Sequence, residues 1–165
     1  MINAGFTELL LALLAVILIV AAVIDVRTFT ISNGLNATVA LMAPLYWWSI
    51  GLPMWPDAAM QVGVALGVFG LLALTFYMGM MGGGDVKLAA AIALWFKPVT
   101  TLKFLVIMSI AGGVLTLIVL LIHKNRGKAP SEGDASAVKP EVPYGVAIAV
   151  GALWILAQRF LNQFA

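Results

Sequence analysis

The sequence has no cysteine and a single histidine, His123, in 165 residues. Without cysteine there are no disulfides, thiol nucleophiles or thiolate metal ligands. One imidazole is too few for the common metal centres, so neither a metal nor another cofactor is expected. Charge is equally scarce: 10% of residues are Asp, Glu, Lys or Arg, whereas 63% are hydrophobic. No soluble domain needs that proportion to bury one core, so the chain reads as a membrane protein. The net charge of +2 is small and the basic residues are scattered, which argues against nucleic acid as a partner. Ser32, Ser49, Ser109, Ser131 and Ser136 lack a recognisable histidine and acid pairing for nucleophilic chemistry.

What is present is a succession of apolar runs. Cutting the chain at its charges, prolines and glycine clusters leaves 9–24, 35–52, 58–78, 86–96, 102–122 and 146–161. A spanning helix takes about 20 apolar residues. The expected fold is therefore an all-α membrane bundle of about six transmembrane helices, forming one polytopic domain over residues 1–165. The fourth run is short and reaches span length only if the glycines before it lie partly in the membrane or Lys87 snorkels. Residues 123–142 are rich in Lys, Glu, Asp, Ser, Gly and Pro and are expected to form a polar loop. The amino-terminal segment lacks a basic region before its apolar run and reads as a retained first helix.

Cytoplasmic loops carry the excess of Lys and Arg. With the N-terminus outside, the inner loops hold Arg27, Lys87, Lys124, Arg126, Lys128 and Lys139, and the outer ones only Lys97, Lys103 and Arg159. This orientation places Asp25, which ends the first run, and Asp85, which opens the fourth, at the same cytoplasmic face. Glu8 and Asp57 fall in outer segments, and Glu132, Asp134 and Glu141 in the polar loop. Asp25 and Asp85 thus stand apart as acids abutting spans on the inner side, where burial of charge calls for a partner or a task. Both also fit a plainer account as helix caps, with Asp25 alternatively paired to Arg27. Two carboxylates in hydrogen-bond reach share one proton, and such a pair can hydrolyse a peptide bond without metal or covalent intermediate.

Asp85 follows Gly82-Gly83-Gly84, which permits close backbone approach or positive φ and suits a strand-like entry for an extended substrate; a flexible turn is the alternative. Asp25 is followed by a polar turn containing Ile31-Ser32-Asn33, where Asn33 is expected to cap the second helix. Gly82-Gly83-Gly84-Asp85-Val86-Lys87-Leu88 resembles the GxGD-x-K-L motif of the type IV prepilin peptidases, a family of GxGD membrane aspartic proteases. Asp25 with Ile31-Ser32-Asn33 is similar to that family's first aspartate and its Ile-Pro-Asn signature, with Ser32 in place of proline. Pro143-Tyr144-Gly145 is similar to the opening of its last helix.

The resemblance implies an aspartic endopeptidase of the bacterial inner membrane, with Asp25 and Asp85 as catalytic acids and Gly82, Gly84, Lys87 and Asn33 shaping the site. It implies prepilin or pseudopilin precursors as partners, cleaved behind a short basic leader on the cytoplasmic side. This chain lacks the CxxC-bearing cytoplasmic domain of larger members and looks like the small CpaA/TadV-like branch serving tight-adherence (Flp) pili, without N-methylation. The competing readings are a small proton-coupled transporter using the same acids and a non-enzymatic pilus or secretion assembly subunit. Of the remaining features, Tyr46, Trp47, Trp48 and Trp55 are expected to form an interfacial aromatic belt, and Gly63 and Gly67 a helix-packing GxxxG. Met78, Met80 and Met81 line an adaptable groove or face lipid.

Overall fold

The computed structural model describes residues 4–125 and 142–162, with side chains in the fifth helix described up to Ile122. Among the described residues six α-helices follow one another: α1 (Ala4–Thr28), α2 (Asn33–Ile50), α3 (Ala59–Tyr77), α4 (Gly83–Ala93), α5 (Pro98–Asn125) and α6 (Tyr144–Leu161). A short π-helical turn, Met54–Ala58, leads into α3. No strand occurs among the described residues. The chain is an all-helical, multi-pass membrane protein. Large apolar side chains such as Leu9, Val16, Leu41, Leu66, Leu102 and Ile110 are exposed along the helix flanks, an arrangement stable in lipid and costly in water.

Among the described residues four segments are long and apolar enough to cross a membrane: α1, Met54–Tyr77, the Pro98–Ile122 part of α5, and α6. The remaining two helices are shorter or more polar. α2 carries Asn33, Asn36 and Thr38 in its first turns, and α4 has 11 residues, ending before Lys97 and Pro98. The polar segment expected at 123–142 lies outside the described residues from 126 to 141.

The shortest helix is the most enclosed. α4 packs against α2, α3 and α6, while α1 lies along α2 and α6, and α5 along α6. Leu88, Ala89, Ile92 and Ala93 of α4 are fully buried, and their small or branched side chains let three helices approach a single axis. Two indole nitrogens tie α4 and the turn after it to α2: Trp47 Nε1 donates to Leu94 O at 2.8 Å, and Trp95 Nε1 to Val39 O at 3.0 Å.

These contacts revise the aromatic-belt expectation. Tyr46 and Trp47 are buried, and Tyr46 stacks on Trp95 with ring centroids 5.1 Å apart. Trp48 and Trp55 are the exposed members. Because α2 has two sides, adjacent aromatics on it face different surroundings, and only some reach lipid. Gly63 and Gly67 are likewise not a packing seam within the chain, since a Cβ added at either would meet nothing within 4 Å.

Candidate active site

Asp25 is placed by the register of α1. Thr7, Leu11, Leu14, Leu18, Ala21 and Asp25 are all buried at alternating steps of three and four, so the aspartate continues the stripe that packs inward. Only 1% of it is exposed, although it is ionisable. Its partner comes from another helix. Gly145 N–H donates to Asp25 Oδ2 at 2.7 Å, and the Val146 amide, which donates to Pro143 O at 3.2 Å, lies beside it. Both amides belong to the first turn of α6, whose N-cap residue, Pro143, has no side-chain acceptor to offer. Asp25 therefore caps α6 from across the bundle, where the positive end of that helix favours a carboxylate.

Asp85 is placed in the same manner by α4. It shares a buried face with Leu88, Ala89 and Ile92, at steps of three, four and seven. Gly82 is the N-cap and Asp85 lies three residues on, the position of the acid in a capping box, with its Oδ2 close beside the Gly82 backbone. Its second oxygen, Oδ1, is buried with no hydrogen-bond partner among the described residues. Asp25 lies near enough for its negative charge to act on Asp85.

The turn between α1 and α2 holds the two acids in place. Phe29 adopts φ 51° and reverses the chain, and Ile31 then inserts between α4 and α6. A Cβ on Gly84 would stand 2.7 Å from Ile31 O, and one on Gly145 would stand 2.8 Å from both Ile31 Cδ1 and Asp25 Oδ2. These two glycines are required by close approach. Gly82 tolerates little more, since its Cβ would fall 2.8 Å from Asp85 Oδ2. None of the three glycines before Asp85 has positive φ; Gly82 is an extended N-cap, and Gly83 and Gly84 begin α4. The strand-like entry expected from Gly82-Gly83-Gly84 is therefore a helix start, because the glycines serve contact rather than extension.

Ser32, not Asn33, caps α2: its Oγ accepts from Leu35 N at 3.3 Å, and Asn33 is already the first helical residue. Asn33 Oδ1 instead accepts from Lys87 Nζ at 2.8 Å, linking α2 to α4 at an exposed position. Lys87 forms no ion pair with Asp85 among the described residues, as residues two apart point to opposite sides of a helix. The sequence reading assigned no role to Asn36, which is buried and donates from Nδ2 to Gly84 O at 3.0 Å. Nor did it assign one to the Gly145 amide. Asn36 was detectable as a polar residue in register with Val39 and Ala43 on the inward face of α2.

Two apolar clefts flank the pair. One, of about 710 Å³, opens between α2 and α3 above a floor of Ala90, Ala91 and Leu94, with Lys87, Asn33 and Asn36 along its edge. The other, of about 350 Å³, is lined by Met80, Met81, Met108 and Tyr144. Met80 and Met81 thus border a cleft, while Met78 lies outside it; Met78 and Met80 are both exposed. Among the described residues no cluster of three or more His, Cys, Asp or Glu side chains is arranged for a metal.

The model of the type IV leader peptidase family matches residues 12–117, which include both aspartates and the glycines between α3 and α4. The chain belongs to the type IV leader peptidase family. It is a leader peptidase-like protease of a multi-pass membrane type, acting on pilin precursors in the general sense that membership implies. No curated protein and no solved structure matches the chain.

Proposed function

We propose that this leader peptidase is an aspartic endopeptidase that uses Asp25 and Asp85 to remove the short leader of type IV or Flp-type prepilins at the cytoplasmic face of the bacterial inner membrane. The observation that carries this reading is the convergence of two buried carboxylates from separate helices, Asp25 held through Oδ2 by the Gly145 amide and Asp85 seated beside the Gly82 backbone. A merely structural pair of caps would have little reason to lie within reach of each other's charge. Asp85 Oδ1, buried without a protein partner, offers an acceptor for a water or for the scissile group.

In the reaction the ionised carboxylate takes a proton from water as its oxygen attacks the scissile carbonyl carbon. The protonated carboxyl donates to the carbonyl oxygen. Collapse of the tetrahedral intermediate returns that proton and passes the other to the departing amine, so the pair ends with one shared proton as it began. The Gly145 amide holds Asp25, while Gly82, Gly84 and Ile31 set the spacing of the pair. The wider cleft receives the apolar helix of the precursor, with Lys87, steadied by Asn33, at its edge to meet an acidic residue following the cleavage point. Residues 29–32 alone join α1 to α2, the place where larger members carry a CxxC-bearing cytoplasmic domain, and this favours the small CpaA/TadV-like branch and cleavage without N-methylation.

The test is co-expression of a Flp-type prepilin with the wild-type chain, Asp25→Asn or Asp85→Asn. Asparagine keeps an acceptor for the helix amides and removes the acid. Shortening of the precursor by the wild type alone, with both variants present in the membrane, supports the dyad; cleavage by either variant refutes it.

A further inference from the structure

At the end of the bundle opposite the aspartates, α2, α4 and α6 end beside the starts of α3 and α5, and a cavity of about 420 Å³ lies among them. Lys97, Lys103 and Arg159 all line it. These are the three basic residues that the charge distribution assigns to the outer side, and they converge on one space. None of them forms an ion pair with a carboxylate among the described residues.

Arg159 has a fixed position. It donates from Nη1 to Tyr46 OH and lies over the Tyr46 ring, 5.6 Å from its centroid. Its place in the last turn of α6 also suits the helix dipole. Lys97 and Lys103 have no such explanation: both are exposed, and Lys97 precedes the first turn of α5, whose free amides add positive potential.

A second observation points to a ligand. Gln61 lines the same cavity, is 3% exposed, and has its Oε1 buried with no hydrogen-bond partner among the described residues. A buried amide oxygen left unpaired is costly, so a donor is expected at this point. The cavity thus combines cations for an anion with an acceptor for a hydroxyl. Leu11, Ile50 and Ile155 line its apolar side, and Leu102 beside Lys103 is exposed on the surface where lipid lies.

We propose that this cavity binds the phosphate of an anionic phospholipid headgroup, with Lys97, Lys103 and Arg159 on the phosphate and Gln61 accepting from a headgroup hydroxyl. Phosphatidylglycerol has both features; phosphatidylcholine has no net charge and no such hydroxyl. The site is separate from the peptidase centre and does not depend on the mechanism proposed for it.

Native mass spectrometry of the detergent-solubilised full chain, offered phosphatidylglycerol or phosphatidylcholine, tests the proposal. Wild type is expected to retain phosphatidylglycerol preferentially. Lys97→Gln/Lys103→Gln should lower that retention at least about tenfold, and Lys97→Arg/Lys103→Arg should restore it. Gln61→Leu should weaken it while leaving phosphatidylcholine retention unchanged. Inorganic phosphate, titrated in a thermal-shift assay, separates the two sources of this chemistry. A saturable shift lost in the double Gln variant, without lipid retention, would keep the anion site and assign it to free phosphate. Equal retention of both lipids, or retention of phosphatidylglycerol undiminished in the double Gln variant with no phosphate shift, overturns the proposal.

Discussion

Asp25 performs two tasks that substitution can separate. It supplies the acceptor for the Gly145 amide in the first turn of α6, and it is proposed to supply an acid. Asp25→Asn preserves the first task and Asp25→Ala removes both, so Asp25→Ala should lose about 0.5–2 kcal/mol more stability, the range for a lost N-cap. Thermal unfolding in detergent measures the difference; equal melting of the two variants would show that the side chain does not cap α6. Gly84→Ala would drive a methyl group to 2.7 Å from Ile31 O, a backbone atom that cannot rotate away. A loss of about 1–3 kcal/mol is expected, with displacement of the turn beside Asp25 and reduced precursor cleavage. Gly83→Ala meets only the Phe76 ring, at 3.3 Å, and should be better tolerated. Comparing both variants in one cleavage assay tests whether Gly84 is required for contact or merely for chain freedom.

At the scale of helices, the links between α2 and α4 differ in strength. Trp95 Nε1 bonds the Val39 carbonyl in a buried setting, whereas Lys87 and Asn33 meet at the surface. Trp95→Phe should cost about 1–3 kcal/mol by removing a buried hydrogen bond and part of the ring that stacks on Tyr46. Lys87→Gln should cost no more than about 1 kcal/mol. Melting temperatures of the two variants check the order, and if the pair proposed for substrate is correct, Lys87→Gln will impair cleavage more than it impairs stability. Much of this level was legible beforehand: six apolar runs became six helices, and Asp25 and Asp85 stood out by their place at run ends. Boundaries were less so. α4 begins at Gly83 instead of Val86, because glycine tolerates the crowded first turn that carries Asp85. The cap of α2 falls at Ser32, one position before the expected Asn33, and Tyr46 and Trp47 turn inward, since neither backbone phase nor the neighbour across a helix is encoded in composition. The Gly145 amide was illegible for a simpler reason: it is a backbone group 120 residues from its partner.

For the whole molecule, the central expectations concern sidedness and chemistry. The absence of cysteine makes single-cysteine labelling free of background. With the N-terminus outside, a cysteine at Asp57 should react with an impermeant maleimide in intact cells, and one at Met80 only after permeabilisation; the opposite pattern would place the aspartates outside. The helices bring the ends of α1, α4 and α6 together so that two acids distant in sequence share one buried site, while the far end gathers the remaining cations. The most direct test of this arrangement is the fraction of co-expressed Flp-type prepilin shortened by wild type, Asp25→Asn and Asp85→Asn at matched membrane levels. The account predicts a shortened product, ending at the leader junction, with wild type alone; cleavage by either Asn variant would contradict it.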